Sequence, residues 1–209
     1  MSALPHRRHP APFSAWRLAC VTVALSLSAC AVPQAPATKR VYDFGPASAA
    51  NTVIATAFPS PLALAEVDAP RALDSTDVQY RLAYANAQEL RPYALARWSM
   101  PPAQLVEQRV RSLLSALGPV LVPGEGSPAY TLKLDLEEFS QQFDAPDASQ
   151  GVVQLRATLL RGTALVAQRS FSAAAPARSA DAPGGVGALA VATQDAASQM
   201  AAWVAQSMR

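Results

Sequence analysis

Apolar and polar residues alternate in several segments of the chain, and a period of two is typical of strands with one buried face. The clearest case is 130–139, where Leu132, Leu134 and Leu136 alternate with polar or charged residues. The weaker or shorter strand predictions are 41–44, 62–68, 77–84, 93–98, 153–159 and 164–171. Polar or Pro/Gly-rich stretches at 85–92, 141–150 and 173–185 predict the turns and loops between them.

Two other segments have the spacing of amphipathic helices. In 103–117, we expect Val106, Val110, Leu113, Leu114 and Leu117 to form the buried stripe, and Gly118-Pro119 ends the pattern. In 186–207, the apolar stripe consists of Leu189, Thr193, Ala196, Met200, Trp203 and Val204. The order of strands, helix, strands and helix predicts an α+β domain over 41–209, with a mostly antiparallel sheet and two amphipathic helices packed on one face.

Residues 1–29 have the character of a secretory signal peptide. Arg7, Arg8 and Arg17 precede a short apolar stretch at 18–29, and no acidic residue interrupts them. Twelve residues extend about 18 Å as a helix, which is too short to cross a hydrocarbon core of about 30 Å. We therefore expect these residues to be removed rather than to anchor the protein as a transmembrane helix.

The signal-like segment ends in Leu27-Ser28-Ala29-Cys30, which resembles the lipobox of bacterial lipoproteins. The pattern predicts lipidation of Cys30; ordinary cleavage near an unmodified cysteine is the alternative. Residues 30–40 would then be the lipidated N-terminus and a tether to the domain. By resemblance to the usual sorting pattern, Ala31 after the cysteine favours the periplasmic face of the outer membrane.

Charge and composition argue against several classes of function. The chain has 17 Lys and Arg against 15 Asp and Glu, without a basic run, so we do not expect it to bind nucleic acid. Both histidines, His6 and His9, lie in the segment predicted to be removed, which leaves no histidine for a catalytic triad or a zinc site. We therefore predict no enzymatic activity, no catalytic residue, no cofactor and no metal site.

Two local patterns could suggest chemistry, but neither is specific. Asp135, Glu137 and Glu138 are close in sequence, yet strand spacing places Asp135 and Glu137 on the outer, solvated face. The glycine-rich stretch 184–187 lacks the lysine and the preceding strand of a phosphate-binding loop.

The aromatic residues between 80 and 98 are the best candidates for a binding surface. Tyr80 and Tyr84 share a strand face with Val78 and Leu82, which favours core packing. Trp98 precedes the first helix, where it could cap that helix or reach a partner. We take Arg97 and Trp98 as candidate partner-binding residues, because Arg and Trp contribute disproportionately to interfaces; a solvated Arg97 is the simpler alternative.

The motif Tyr42-Asp43-Phe44, the pair Tyr80-Arg81 and the passage from Tyr93 to Pro102 (YALARWSMPP) resemble the ABC-type transport auxiliary lipoproteins, the PqiC-like proteins. The resemblance implies a non-enzymatic docking role in lipid transport. Its partners would be an MCE-domain protein and the permease and ATPase of an ABC transporter. A homo-oligomer is compatible with the sequence. The alternative function is a lipoprotein scaffold or assembly factor of another outer-membrane complex.

Overall fold

The computed structural model describes residues 38–46 and 57–209. The predictions for the signal peptide at 1–29, for Cys30 and for Ala31 lie outside the described residues and stay predictions. From Thr38 onward the chain forms one compact unit.

Eight strands and three helices make up the described residues. In chain order they are β1 (Arg40–Tyr42), β2 (Leu62–Asp68), β3 (Asp77–Leu82), α1 (Ala83–Asn86), β4 (Ala87–Trp98), α2 (Pro102–Ser115), β5 (Val120–Leu121), β6 (Tyr130–Ala145), β7 (Ala148–Arg161), β8 (Ala164–Pro176) and α3 (Ala182–Ser207). A 3-10 turn, Arg71–Leu73, joins β2 to β3.

All eight strands belong to one sheet whose centre is the long strand β6. Strands β7 and β8 follow it on one side as an antiparallel meander. The other edge of β6 is shared, because β2 pairs with its first half and β3 with its second half. Strand β4 pairs with β3, and β1 forms the outer edge beside β4. Strands β1 and β8 therefore lie at opposite edges of the sheet.

The prediction of a mostly antiparallel sheet is wrong, since the sheet is mixed. The pairs β1/β4, β2/β5, β2/β6 and β3/β6 are parallel, whereas β3/β4, β6/β7 and β7/β8 are antiparallel. Alternation along a strand shows which side chains are buried, but it carries no information on the direction of the neighbouring strand. The α+β class itself is confirmed.

The predicted loop at 141–150 is also wrong, because β6 continues to Ala145 and β7 begins at Ala148. The first polar residue of this stretch, Gln141, is held inside the fold, whereas Asp144 and Asp147 near the turn are exposed. Gln141 is fully buried, and its amide accepts a hydrogen bond from Tyr93 Oη (2.8 Å) and donates one to Ser149 Oγ (2.8 Å). At Gln141, polarity therefore reflects an internal hydrogen-bond network rather than a surface loop.

The two long helices contact each other, and both contact the sheet. In α2, the buried side chains include Val106, Val110 and Leu114, while Leu113 is only partly buried. The predicted stripe is therefore confirmed at Val106, Val110, Leu114 and Leu117, whereas Leu113 lies at its margin. The stripe predicted for the second helix is buried in α3, except that Trp203 is partly exposed.

Helix α3 begins four residues earlier than predicted, within the stretch expected to be loop. The Asp181 carboxylate caps it by accepting a hydrogen bond from the Gly184 amide (2.9 Å), and Pro183 occupies the first turn. Two positions of this first turn have no room for a side chain and are occupied by glycine. A Cβ on Gly184 would overlap Ser179, and one on Gly185 would overlap the Gln141 side chain.

Candidate functional site

Trp98 lies in the hydrophobic core, so the prediction that it contacts a partner is wrong. The side chain is fully buried. Its ring meets Phe44 and Phe139 edge-on, with centroid distances of 5.7 and 5.6 Å. Because β4 alternates, Ala96 and Trp98 point into the core and Arg97 between them points out. The indole Nε1 has no hydrogen-bond partner among the described residues, so the tryptophan contributes through packing.

Arg97, the other predicted partner-binding residue, is exposed on the opposite face of β4. Its neighbour across the edge is Val41, which is 52% exposed, and Leu95 on the same face is 54% exposed. Lys39 lies beside them and forms an ion pair with Asp77 (3.4 Å). We call Lys39, Val41, Leu95 and Arg97 the β1–β4 patch. The structure thus separates Arg97 from Trp98 and groups Arg97 with exposed apolar side chains.

The tyrosines of the predicted hairpin have different environments. Tyr80 is partly buried and stacks on Tyr93, with the ring centroids 4.5 Å apart. Tyr84 is 48% exposed, because the chain leaves β3 after Leu82 and forms the short helix α1. The expectation that Tyr84 packs in the core is therefore wrong. The polar turn predicted at 85–92 is instead the first part of β4, which begins at Ala87.

Tyr93 is the titratable group whose environment is most altered in this region. Burial of its phenol raises the pKa of Tyr93 well above the ordinary value, and the nearby Tyr80 and Asp181 act in the same direction. Its hydroxyl donates to Gln141, so the neutral form is the one that the fold stabilises. The arrangement suits a structural phenol, since a general base would need a lowered pKa.

Arg109 is a buried residue that the sequence reasoning missed. Its side chain lies between α2 and α3 and is 9% exposed. The guanidinium donates to Gln194 Oε1 (3.1 Å) and to the carbonyl oxygens of Phe44 and Gly45 (3.2 Å each). Burial lowers the pKa of this guanidinium, because desolvation disfavours the charged form. The position of Arg109 within the apolar stripe of α2 is the signal that could have identified it.

Arg109 connects the N-terminal segment to the helices rather than serving an evident reaction. It also lines a cleft of about 230 Å³ together with Asp43, Leu105, Gln108 and Ser112. The side chain makes no ion pair with a described carboxylate; three neutral oxygens satisfy it instead. The cleft is small, and the hydrogen-bonding capacity of Arg109 is largely used by the protein itself.

Asp135 and Glu137 of β6 lie on the outer face of the sheet, as the alternation predicts, and a β-bulge between Leu136 and Glu138 interrupts the alternation at Glu138. Glu137 pairs with Arg156 of β7, and Glu138 pairs with Arg81 at 3.2 Å. Asp135 lies next to Asp68 across the β2/β6 pair, beside a shallow surface depression. In the part of the chain that the structure describes, no group of three or more His, Cys, Asp or Glu side chains could hold a metal ion.

A groove lies where β8 ends and α3 begins. Its volume is about 710 Å³, and its lining is mostly small or apolar, including Ala175, Pro176, Gly187, Ala188 and Val191. Arg178 lies at its rim.

Among the helices that the structure describes, none combines the length and apolarity needed to cross a membrane.

The family model described as the ABC-type transport auxiliary lipoprotein component matches residues 42–201, which is most of the chain. The match spans every element from the end of β1 into the last turns of α3. The chain belongs to this family. The resemblance drawn from Tyr42-Asp43-Phe44 and the passage Tyr93–Pro102 is thereby confirmed.

The fold of this auxiliary lipoprotein is also found in solved structures. A Xanthomonas campestris protein of the DUF330 family is 23% identical, with a TM-score of 0.65, and the similarity covers 80% of this chain and 96% of that one. An uncharacterized protein is 18% identical, with a TM-score of 0.60 and coverage of 82% and 99%. At these identities the likeness concerns the fold. The comparison with curated proteins gives no significant match.

Proposed function

We propose that this auxiliary lipoprotein is anchored by Cys30 to the periplasmic face of the outer membrane and docks an MCE-domain protein of an ABC-type lipid transporter. The family match over residues 42–201 carries the proposal. The lipobox ending at Cys30 and the residue Ala31 support the anchor and its membrane. The role is that of a binding component without catalysis, and we assign no catalytic residue.

The described surface offers binding features rather than a reaction centre. Arg109, Gln141 and Tyr93, which are buried or partly buried, form hydrogen bonds within the fold. The open features are the β1–β4 patch at one edge of the sheet and the apolar groove beside β8 at the other. Two binding surfaces at opposite edges of the sheet suit a docking component that contacts a different partner or membrane with each edge.

Affinity purification after mild crosslinking in the native host tests the proposal. The full-length tagged chain should recover an MCE-domain protein together with the permease and ATPase. The matched control is a fusion of residues 1–40 to an unrelated soluble domain, which would reach the same membrane without the 41–209 domain. Recovery of the MCE-domain protein by both would attribute it to membrane proximity and contradict docking.

The second candidate function is a scaffold or assembly factor of another outer-membrane complex. The same purification distinguishes the two, because that function requires an outer-membrane complex to be recovered while the MCE-domain protein is absent. Such a result would replace the proposed partner and retain the anchor.

A further inference from the structure

The β1–β4 patch presents apolar side chains to solvent at one edge of the sheet. Val41 and Leu95 are each about half exposed, at 52% and 54%. The register of β1 against β4 places Val41 directly beside Arg97, and Leu95 lies two residues earlier on the same face. This face is opposite to the one from which Ala96 and Trp98 enter the core, so the patch does not contribute to the core.

The charges around these apolar residues are mainly positive. Lys39 and Arg97 are exposed, and Asp77 is the acidic residue next to them, whereas Arg40 pairs with the core-facing Ala96 and therefore lies on the opposite face of the sheet. Asp77 lies across from Arg97 in the β3/β4 pair, but its carboxylate pairs with Lys39 at 3.4 Å. Arg97 has no carboxylate within ion-pair distance among the described residues. Exposed aliphatic side chains beside the unpaired Arg97 suit the boundary between acyl chains and anionic headgroups.

The patch is also close in sequence to the predicted lipid. Nine residues separate Cys30 from Arg40, the first residue of β1. A fully extended chain of this length reaches at most about 35 Å, so the edge of the sheet that carries β1 is held near the membrane surface. Such a tether brings the patch to the membrane but does not by itself determine which face meets the lipid.

We infer that the β1–β4 patch rests on the anionic lipid surface that holds the anchor, with Val41 and Leu95 at the headgroup boundary and Arg97 on lipid phosphates. The inference depends on the lipid anchor of the proposed function. It reassigns Arg97 from a protein contact to a lipid contact. The opposite edge of the sheet, with β8 and the apolar groove, then faces away from the membrane.

Quenching of a site-specific fluorophore by nitroxide-labelled lipids in reconstituted vesicles tests this orientation. The lipidated mature chain would contain no free thiol, because Cys20 is removed and Cys30 is acylated. A single environment-sensitive fluorophore can therefore be attached to Val41→Cys or, as the matched control, to Ser170→Cys on β8. The five strand spacings from β1 to β8 place these sites roughly 24 Å apart. The vesicles contain phosphatidylethanolamine and phosphatidylglycerol, with a nitroxide on a fraction of the headgroups.

The expected result is strong nitroxide quenching at position 41 and little at position 170. In the Val41→Cys background, Arg97→Gln should lower the ratio of quenched to unquenched label about fivefold, the factor for one basic side chain at an anionic surface. Arg169→Gln, which removes an exposed arginine of β8, should leave that ratio unchanged. Replacing phosphatidylglycerol with phosphatidylcholine should reproduce the effect of Arg97→Gln.

Equal quenching at positions 41 and 170 would overturn the inference, as would failure of the chain to associate with vesicles through a lipid. A third outcome is a label at position 41 that stays in water while Arg97→Gln abolishes recovery of the MCE-domain protein. That outcome would make the patch a protein interface and overturn the lipid assignment. Loss of the MCE-domain partner with intact quenching at position 41 would contradict the proposed docking only.

Discussion

At the scale of single residues, the pattern of hydrophobic and polar positions did not predict which polar side chains are buried. Gln141 and Arg109 stand in apolar surroundings, yet each is satisfied by hydrogen bonds to residues distant in sequence. Tyr93 is 48 positions from its partner Gln141, and Arg109 is 85 positions from Gln194. Hydrogen-bond partners this far apart in sequence become evident only in the folded structure. The polarity of the stretch around Gln141 therefore predicted a loop.

Replacement of Tyr93 by phenylalanine should lower the free energy of unfolding by about 1–3 kcal/mol at neutral pH, because the buried Gln141 oxygen loses its donor. Chemical denaturation measures this. Tyr84→Phe, at an exposed tyrosine, is the control and should change stability by less than about 0.5 kcal/mol. An equal effect of both substitutions would contradict the role of the Tyr93 hydrogen bond.

The same variant should reveal the raised pKa of Tyr93. Above about pH 10, the ordinary pKa of tyrosine, the unfolded chain releases the proton while the folded chain retains it. This contribution to stability is therefore fully present below pH 10 and is lost as the pH rises. The stability difference between the wild type and Tyr93→Phe should shrink in that range; a difference that stays constant or grows would contradict the shift.

Arg109→Met should destabilise the protein because it leaves three acceptor oxygens, on Phe44, Gly45 and Gln194, without their donor. Each unpaired buried acceptor costs about 1–3 kcal/mol, less where water reaches it. The neighbouring Arg111→Met is the matched control, since Arg111 pairs with Glu107 on a partly exposed helix face and its loss should cost at most about 0.5 kcal/mol. Similar melting temperatures for both variants would show that Arg109 is not a structural connection.

At the scale of elements, the contact between α3 and β7 determines how the long helix lies on the sheet. Gly151 of β7 faces the backbone of α3, and a Cβ at this position would lie 2.5 Å from the Leu189 amide nitrogen. The glycine is needed for close approach rather than for an unusual backbone angle, since its φ is not positive. The periodicity of both elements was predictable, but this contact point was not, because it depends on how the two pack.

Gly151→Ala should therefore force α3 away from the sheet and lower the melting temperature markedly. Gly187→Ala, in α3 itself, provides the opposite control. A Cβ on Gly187 meets no atom within 4 Å, so alanine should stabilise the helix by roughly 0.5–1 kcal/mol through its better helix propensity. Thermal unfolding followed by circular dichroism measures both, and a Gly151→Ala variant as stable as the wild type would contradict the packing.

At the scale of the whole molecule, the domain has two unlike edges on one sheet. The β1 edge carries exposed apolar and basic side chains and follows the predicted tether, whereas the β8 edge adjoins the apolar groove at the start of α3. The family match begins at residue 42, just beyond this tether. We therefore expect the N-terminal segment to supply the membrane anchor and the folded domain to supply the partner-binding surface.

Attachment can be tested directly on the full-length chain. Growth with a clickable palmitate analogue should label the wild type, and Cys30→Ser should abolish the label because the acceptor thiol is missing. Cys20→Ser is the matched control and should remain labelled, since Arg17 occupies the position where a lipobox ending at Cys20 would need an apolar residue. Persistent labelling of Cys30→Ser would contradict the predicted site.

The amino-acid sequence by itself determined the α+β class, most of the strands and both long helices, because alternation and helical spacing are local properties. It also determined the family, through short motifs between Tyr42 and Pro102 that the match to residues 42–201 confirms. Tertiary structure alone decided the parallel pairing of β2 and β3 with β6, the burial of Trp98 and the exposure of Arg97. The physical reason is that local hydrophobic periodicity indicates which side chains are buried. Strand direction, hydrogen-bond partners and solvent-exposed surfaces depend instead on residues far apart in sequence.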